Sequence, residues 1–183
     1  MLEHLNVSKI EVAQRQLNVA IRMLFANEDP VAVHTLVGAA SSILSNLVEN
    51  RHPNESWDKL AQGANGLSAS EYFTIMRKAQ NWFKHAVDDP DERFEFDPGE
   101  TEALAFWAVM NASLLADLST EAMIYQIWFI ALQEPSNGLE EESRVAKKLF
   151  GDIRTKPRPE RLQAGAKVLR EHLLLSEGEP GSQ

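Results

Sequence analysis

The chain contains no cysteine. Disulfides, thiolate zinc sites and a cysteine nucleophile are therefore excluded, and the composition is compatible with a reducing compartment. No uninterrupted apolar run approaches the roughly 20 residues of a membrane span. The opening residues MLEHLNVSKIEVAQ lack the basic and apolar pattern of a secretory signal. A cytoplasmic location without membrane contact is the expectation. Also missing are an internal repeat, a Gly-rich phosphate loop, a nucleophile elbow and a zinc motif. Basic residues are the minority, 18 Lys and Arg against 27 Asp and Glu, for a net charge of −9. That balance argues against nucleic-acid binding by the surface as a whole.

What is present fits one folded unit. A chain of 183 residues with 44% apolar content can bury a real core in a single domain. The negative charge is concentrated. Eight acids stand between Asp88 and Glu102 against Arg93 alone, so the rest of the chain is nearly neutral and leaves room for local basic patches.

Apolar residues recur at three- and four-residue steps along most of the chain, which predicts an all-α fold. The expected architecture is a helical bundle of about six to seven helices over residues 1–176, followed by a disordered tail, 177–183. Ser8 and Glu11 have capping-box spacing ahead of a helix from Lys9 to about Ala26. Asp29-Pro30 starts a second helix to about Glu49, since Asp caps and Pro suits the first helical position. His34 lies at the edge of its core face, near Ser41 and Ser45, as a hydrogen-bonded structural histidine. Residues 55–62 form a short helix ended by Gly63 and Gly66. Asp97-Pro98 opens a helix to about Ala116. Ser119 or Thr120 caps the next.

That helix, over residues 120–133, is apolar on nearly every side. Such a helix is either central in the core or shared with a partner. With few helices available to surround it, a homodimer contact is expected there. Residues 139–150 and 159–175 complete the set. The last of these is locally basic and docks through Leu162, Val168, Leu169 and Leu173.

The stretch from Ser68 to Val87 carries the densest set of chemically able residues. Ser68 and Glu71 form a second capping box. Tyr72, Ile75, Met76, Ala79, Trp82, Phe83, Ala86 and Val87 share one side of a continuous helix, and Trp82 is expected in the core. Arg77, Lys78, Asn81, Lys84, His85 and Asp88 share the other. A solvated polar face accounts for most of these. Asn and His, however, are poor choices for a merely soluble face. His85 titrates near neutrality and can serve as a general acid or base. Arg77, Lys78 and Lys84 can hold an anion. The sequence DDPDERFEFDPGE that follows is a loop of solvated acids, able to pair with Arg77, Lys78 and Lys84 or to gate their face.

Two metal readings fail. Glu49 and His52 have the Glu-x-x-His spacing of di-metal bundles, but the motif occurs once and at a helix end. The acidic loop lacks the glycine and spacing of an EF-hand. No metal and no cofactor are expected.

The run Asn81-Trp82-Phe83-Lys84-His85-Ala86, followed by Asp-Asp-Pro, is similar to a family of small all-helical bacterial proteins with an Asn-x-Phe-Lys-His motif. The basic helix ending in His85 also resembles HEPN domains, helical bundles, often dimeric, in which an Arg and a His some four to six residues apart form the active site of many RNase toxins. That resemblance implies His85 as catalytic residue, Arg77 or Lys78 as its basic partner and Asn81 as support. The spacing departs from the pattern: seven residues separate Arg77 from His85, and six separate Lys78, a lysine in place of arginine, from His85.

Two functional readings follow. One is a helical binding protein, homodimeric, with a polar ligand or partner face on helix 68–87 built from Lys78, Asn81, Lys84 and Asp88. The other is a metal-independent, HEPN-like ribonuclease using His85 with Arg77 or Lys78, and only this one implies RNA as partner.

Overall fold

The computed structural model describes residues 4–86, 90–134 and 140–178. Among the described residues there are nine α-helices and no strand: α1 (Lys9–Phe25), α2 (Pro30–Arg51), α3 (Trp57–Asn65), α4 (Ala69–Met76), α5 (Lys78–Lys84), α6 (Pro98–Ser113), α7 (Thr120–Ala131), α8 (Glu140–Phe150) and α9 (Arg158–Gly178). The all-α reading holds. The count exceeds six to seven partly because the stretch read as one helix over 68–87 is two, α4 and α5, broken at Arg77 and ending at Lys84. The helix α9 continues through Gly178, two residues into the stretch assigned to a disordered tail. Residues 179–183 lie outside the described residues.

The helix starts follow the capping chemistry. Ser8 with Glu11 and Ser68 with Glu71 each make both hydrogen bonds of a capping box. Asp29 and Asp97 accept from the first free amides of α2 and α6, each with proline at the first position. Ser119 caps α7.

The core is built by α1, α2, α6, α7 and α9. Leu17, Ile21, Val37, Leu44, Val48, Val109, Tyr125, Trp128 and Leu162 are sealed from solvent. Phe25 packs edge-on to Trp128 at 5.2 Å and beside Tyr125 at 5.8 Å. Gly165 is needed where α9 crosses α1, because a Cβ there would overlap the Phe25 ring. Trp128 satisfies its indole N–H on the Arg161 carbonyl (2.8 Å), and the Tyr125 hydroxyl donates to the Glu102 carbonyl (2.7 Å). The Glu102 carboxylate takes Arg158 at 2.7 Å, and Arg158 also donates to Asn27 at 3.3 Å. These bonds fasten the start of α9 to α6 and to the α1–α2 turn.

The apolar circumference of α7 finds its neighbours within the chain: α1, α6, α8 and α9 all pack on it. Met123 is its large apolar residue left exposed. By length and composition α2 could cross a membrane, with a mean hydropathy of 1.5 over its best window, although no uninterrupted apolar run suggested it. A core helix meets the same criterion, and α2 packs against α1, α5 and α6.

Candidate functional site

The helices α3, α4 and α5 and residues 90–97 form a shoulder on this core. They are short, at nine, eight and seven residues for the three helices. Arg77 joins α4 to α5 with φ −105° and ψ 5°. Its N–H closes α4 on the Phe73 carbonyl, and its own carbonyl accepts the Asn81 N–H at 2.8 Å to start α5. The break lets the two halves dock separately. On α4, the Tyr72 hydroxyl donates to Asp58 of α3 (3.2 Å), whose other oxygen accepts from Asn111 of α6 (2.9 Å). On α5, Gln80 lies against Gly38 of α2, where a Cβ would come within 2.6 Å of Gln80 Cδ.

This redirection overturns part of the single-helix wheel. Ile75, placed on the core side, is 62% exposed, while Gln80 is buried. Trp82, expected in the core, is half-buried and stacks on Phe94 at 5.5 Å with the planes 25° apart. Val87 and Asp88, placed on opposite faces of that helix, lie outside the described residues.

Of the sequence-derived site residues, three converge. Lys78, Asn81 and His85 line one cleft of about 810 Å³ together with Thr74, Trp82, Glu92, Arg93, Phe94 and Glu95. Its floor is the Trp82–Phe94 stack. Lys78 holds its ammonium 5.5 Å from the Phe94 ring centre, a cation–π contact, and has no carboxylate partner among the described residues. His85 ends α5 in extended backbone and is exposed. Lys84 is exposed and lies outside the cleft lining.

Arg77 goes elsewhere. Its guanidinium stacks 4.3 Å over Phe73 and lines a small internal cavity with Ser41, Ser45, Asp58 and Gln80. That cavity, about 10 Å³, has room for roughly one water molecule. The Arg77–His85 pairing is therefore not brought together, whereas Lys78 and His85 share one cleft.

Reasoning from sequence missed Arg93, Glu92 and Glu95 as members of this site. The signal available was the alternation of Phe94 and Phe96 with charges, which marks an extended segment with one face docked. Phe94 packs on Trp82 and Phe83, and Phe96 packs on Phe83 and on His34.

His34 is the structural histidine its position suggested, but in deeper surroundings. It is 2% exposed, and its Nδ1 shares a 3.0 Å hydrogen bond with Thr101. Phe83 and Phe96 both meet the ring edge-on, at 5.6 and 5.0 Å. Its Nε2 is buried without a partner among the described residues. Burial holds its pKa below the ordinary 6.5.

Among the described residues no group of three or more His, Asp or Glu side chains is placed to hold a metal ion. Comparison of the chain with family models, with curated proteins and with solved structures gave no match.

Proposed function

We propose that this chain is a binding protein whose ligand or partner seats in the cleft between α5 and residues 90–95. The observation that carries the reading is the composition of that cleft. Lys78, Arg93, Asn81 and His85 surround a half-buried Trp82–Phe94 platform, and none of these polar side chains is consumed by an ion pair among the described residues. Small-molecule sites join an apolar floor to a few convergent polar groups in this way. Glu92 and Glu95 in the same lining favour a ligand that offers donors as well as an anionic or aromatic group.

The test is an NMR titration of the 15N-labelled protein with a panel of phosphorylated, carboxylated and aromatic small molecules. Shifts gathering at Lys78, Asn81, Trp82 and His85, and lost in a Lys78→Ala/His85→Ala double variant, would support the reading. A panel that moves no resonance of the cleft would overturn it for these ligand classes.

A HEPN-like, metal-independent ribonuclease is the second reading, favoured by one observation: His85 and Lys78 share the cleft. In that reading His85 acts as general base and Lys78, rather than Arg77, contacts the phosphate. Incubation with RNA in the presence of a chelator tests it. Cleavage by the wild type that disappears in His85→Ala, with folding intact, would displace the binding-protein reading. A homodimer through α7 would be built around Met123, the exposed large apolar residue of that helix. A dimeric mass in solution that becomes monomeric in Met123→Glu would support it.

A further inference from the structure

The segment that lines one side of the cleft is anchored on His34, a buried histidine whose Nε2 has no partner among the described residues. Residues 91–97 cross α5 as a strap with two aromatic pins. Phe94 lies on Trp82, at the floor of the cleft, and Phe96 reaches past Phe83 to His34. The same Phe83 touches Trp82, Phe94, Phe96 and His34, so one ring cluster joins cleft and histidine. We propose that residues 91–97 are a strap held against α5 by neutral His34, and that protonation of His34 releases it and with it one side of the cleft.

The argument rests on where a second proton would go. In neutral imidazole one nitrogen carries hydrogen and the other does not. With Thr101 bonded at Nδ1, the neutral ring leaves Nε2 unpaired, a modest cost for a buried group. In the protonated ring both nitrogens donate. Thr101 can accept from Nδ1, but the Nε2 N–H is then a charged donor with no acceptor, which burial makes far more costly.

Among the described residues no carboxylate is paired with the ring. His34 is in the second turn of α2 and Thr101 in the first turns of α6, so the positive ends of two helices lie on either side of the ring. The charged groups on the neighbouring segments are Glu28 and Asp29 ahead of α2, Lys84 on α5, Glu95 and Asp97 on the strap, Glu100 and Glu102 on α6, Arg22 on α1 and Arg158, which lines a pocket with Thr101. Asp29 and Asp97 are occupied in capping and Glu102 pairs with Arg158. Among the described residues none forms an ion pair with His34, and burial lowers its proton affinity. The least costly relief is solvation of Nε2. Phe96 is the neighbour able to move for it, since it sits in a non-helical segment while Phe83 and Thr101 are fixed in helices.

The proposal concerns regulation of the cleft read above as the binding site, but its test uses no ligand, so the two can fail separately. The protein is titrated from pH 8 to pH 4, following the His34 Cε1–H resonance, the Trp82 indole N–H and the amides of Phe94 and Phe96. The expected result is a His34 midpoint below 6.5 with the strap resonances moving at that same midpoint, while core amides such as Val109 stay fixed. His85, exposed in the same cleft, is separated by repeating the titration in His85→Gln, which should retain the transition. His34→Gln should abolish it. Strap resonances that ignore the His34 midpoint in the wild type would overturn the proposal, whether or not His34→Gln folds. So would an unchanged transition in His34→Gln, or no transition above the pH of global unfolding.

Discussion

Two regions of this molecule are made from similar residues and held in different ways. In the bundle of α1, α2, α6, α7 and α9, large side chains are sealed: Trp128 and Tyr125 are 0% exposed. In the shoulder of α3, α4, α5 and the strap, Trp82, Phe83, Phe94 and Phe96 are only half-buried, and the fully buried groups include Asp58, Gln62, Tyr72 and Gln80. The first region is secured by apolar area and the second by a few polar bonds and ring contacts. Segments with few buried apolar contacts open at lower free energy than the core, and ligand-binding parts come from that end of the scale. The candidate cleft lies in the region able to move.

Truncating the same residue type in both regions is the sharpest way to break this comparison. Trp128→Ala should cost about 3–5 kcal/mol of global stability by urea denaturation, as a large core side chain. Trp82→Ala should cost only about 1 kcal/mol, the scale of one aromatic stacking pair. Equal losses would mean that shoulder and bundle are one cooperative core.

Two glycines refine the point. Gly165→Ala forces a methyl into the Phe25 ring, and overpacking of that kind costs about 1–3 kcal/mol. Gly38→Ala meets the flexible end of Gln80, which can swing aside, and replacing a helical glycine recovers up to about 1 kcal/mol of propensity. Its net effect on thermal unfolding should therefore lie near zero, while hydrogen exchange in α5 accelerates.

The pH dependence carries a sign fixed by His34. Its pKa is lower in the folded chain than in the unfolded one. Well above pH 6.5 neither state binds the proton and the histidine contributes no slope. Below that the unfolded chain takes the proton first, so stability falls with pH until the folded-state pKa is passed. Urea midpoints between pH 7.5 and 5 should decline in the wild type and decline less in His34→Gln. The smallest effect belongs to His85→Ala, which should leave stability within about 0.5 kcal/mol because the side chain is exposed.

Helix starts were legible in the sequence because capping is local. Ser8 with Glu11 and Ser68 with Glu71 lie three residues apart, and Asp29 and Asp97 each precede a proline. The break at Arg77 was not, since it answers to Gly38 and Asp58, which lie far from it along the chain. The same limit governs the site. Periodicity brought Lys78, Asn81 and His85 to one face. The dismissal of Arg77 from that face and the arrival of Arg93 depend on tertiary docking. A partner for His34 was foreseeable from its place near the core, whereas its identity, Thr101, lies 67 residues away.

The seat of Phe25 against Gly165 also imposes a schedule on synthesis. The two residues are 140 positions apart, so at ordinary translation rates of about 5–20 residues per second the ring waits roughly seven to thirty seconds for its neighbour. Throughout that interval the face of α1 destined for α9 stays uncovered, joined by that of α7 once α7 has been made. The nascent chain is therefore a candidate client for chaperones until α9 emerges.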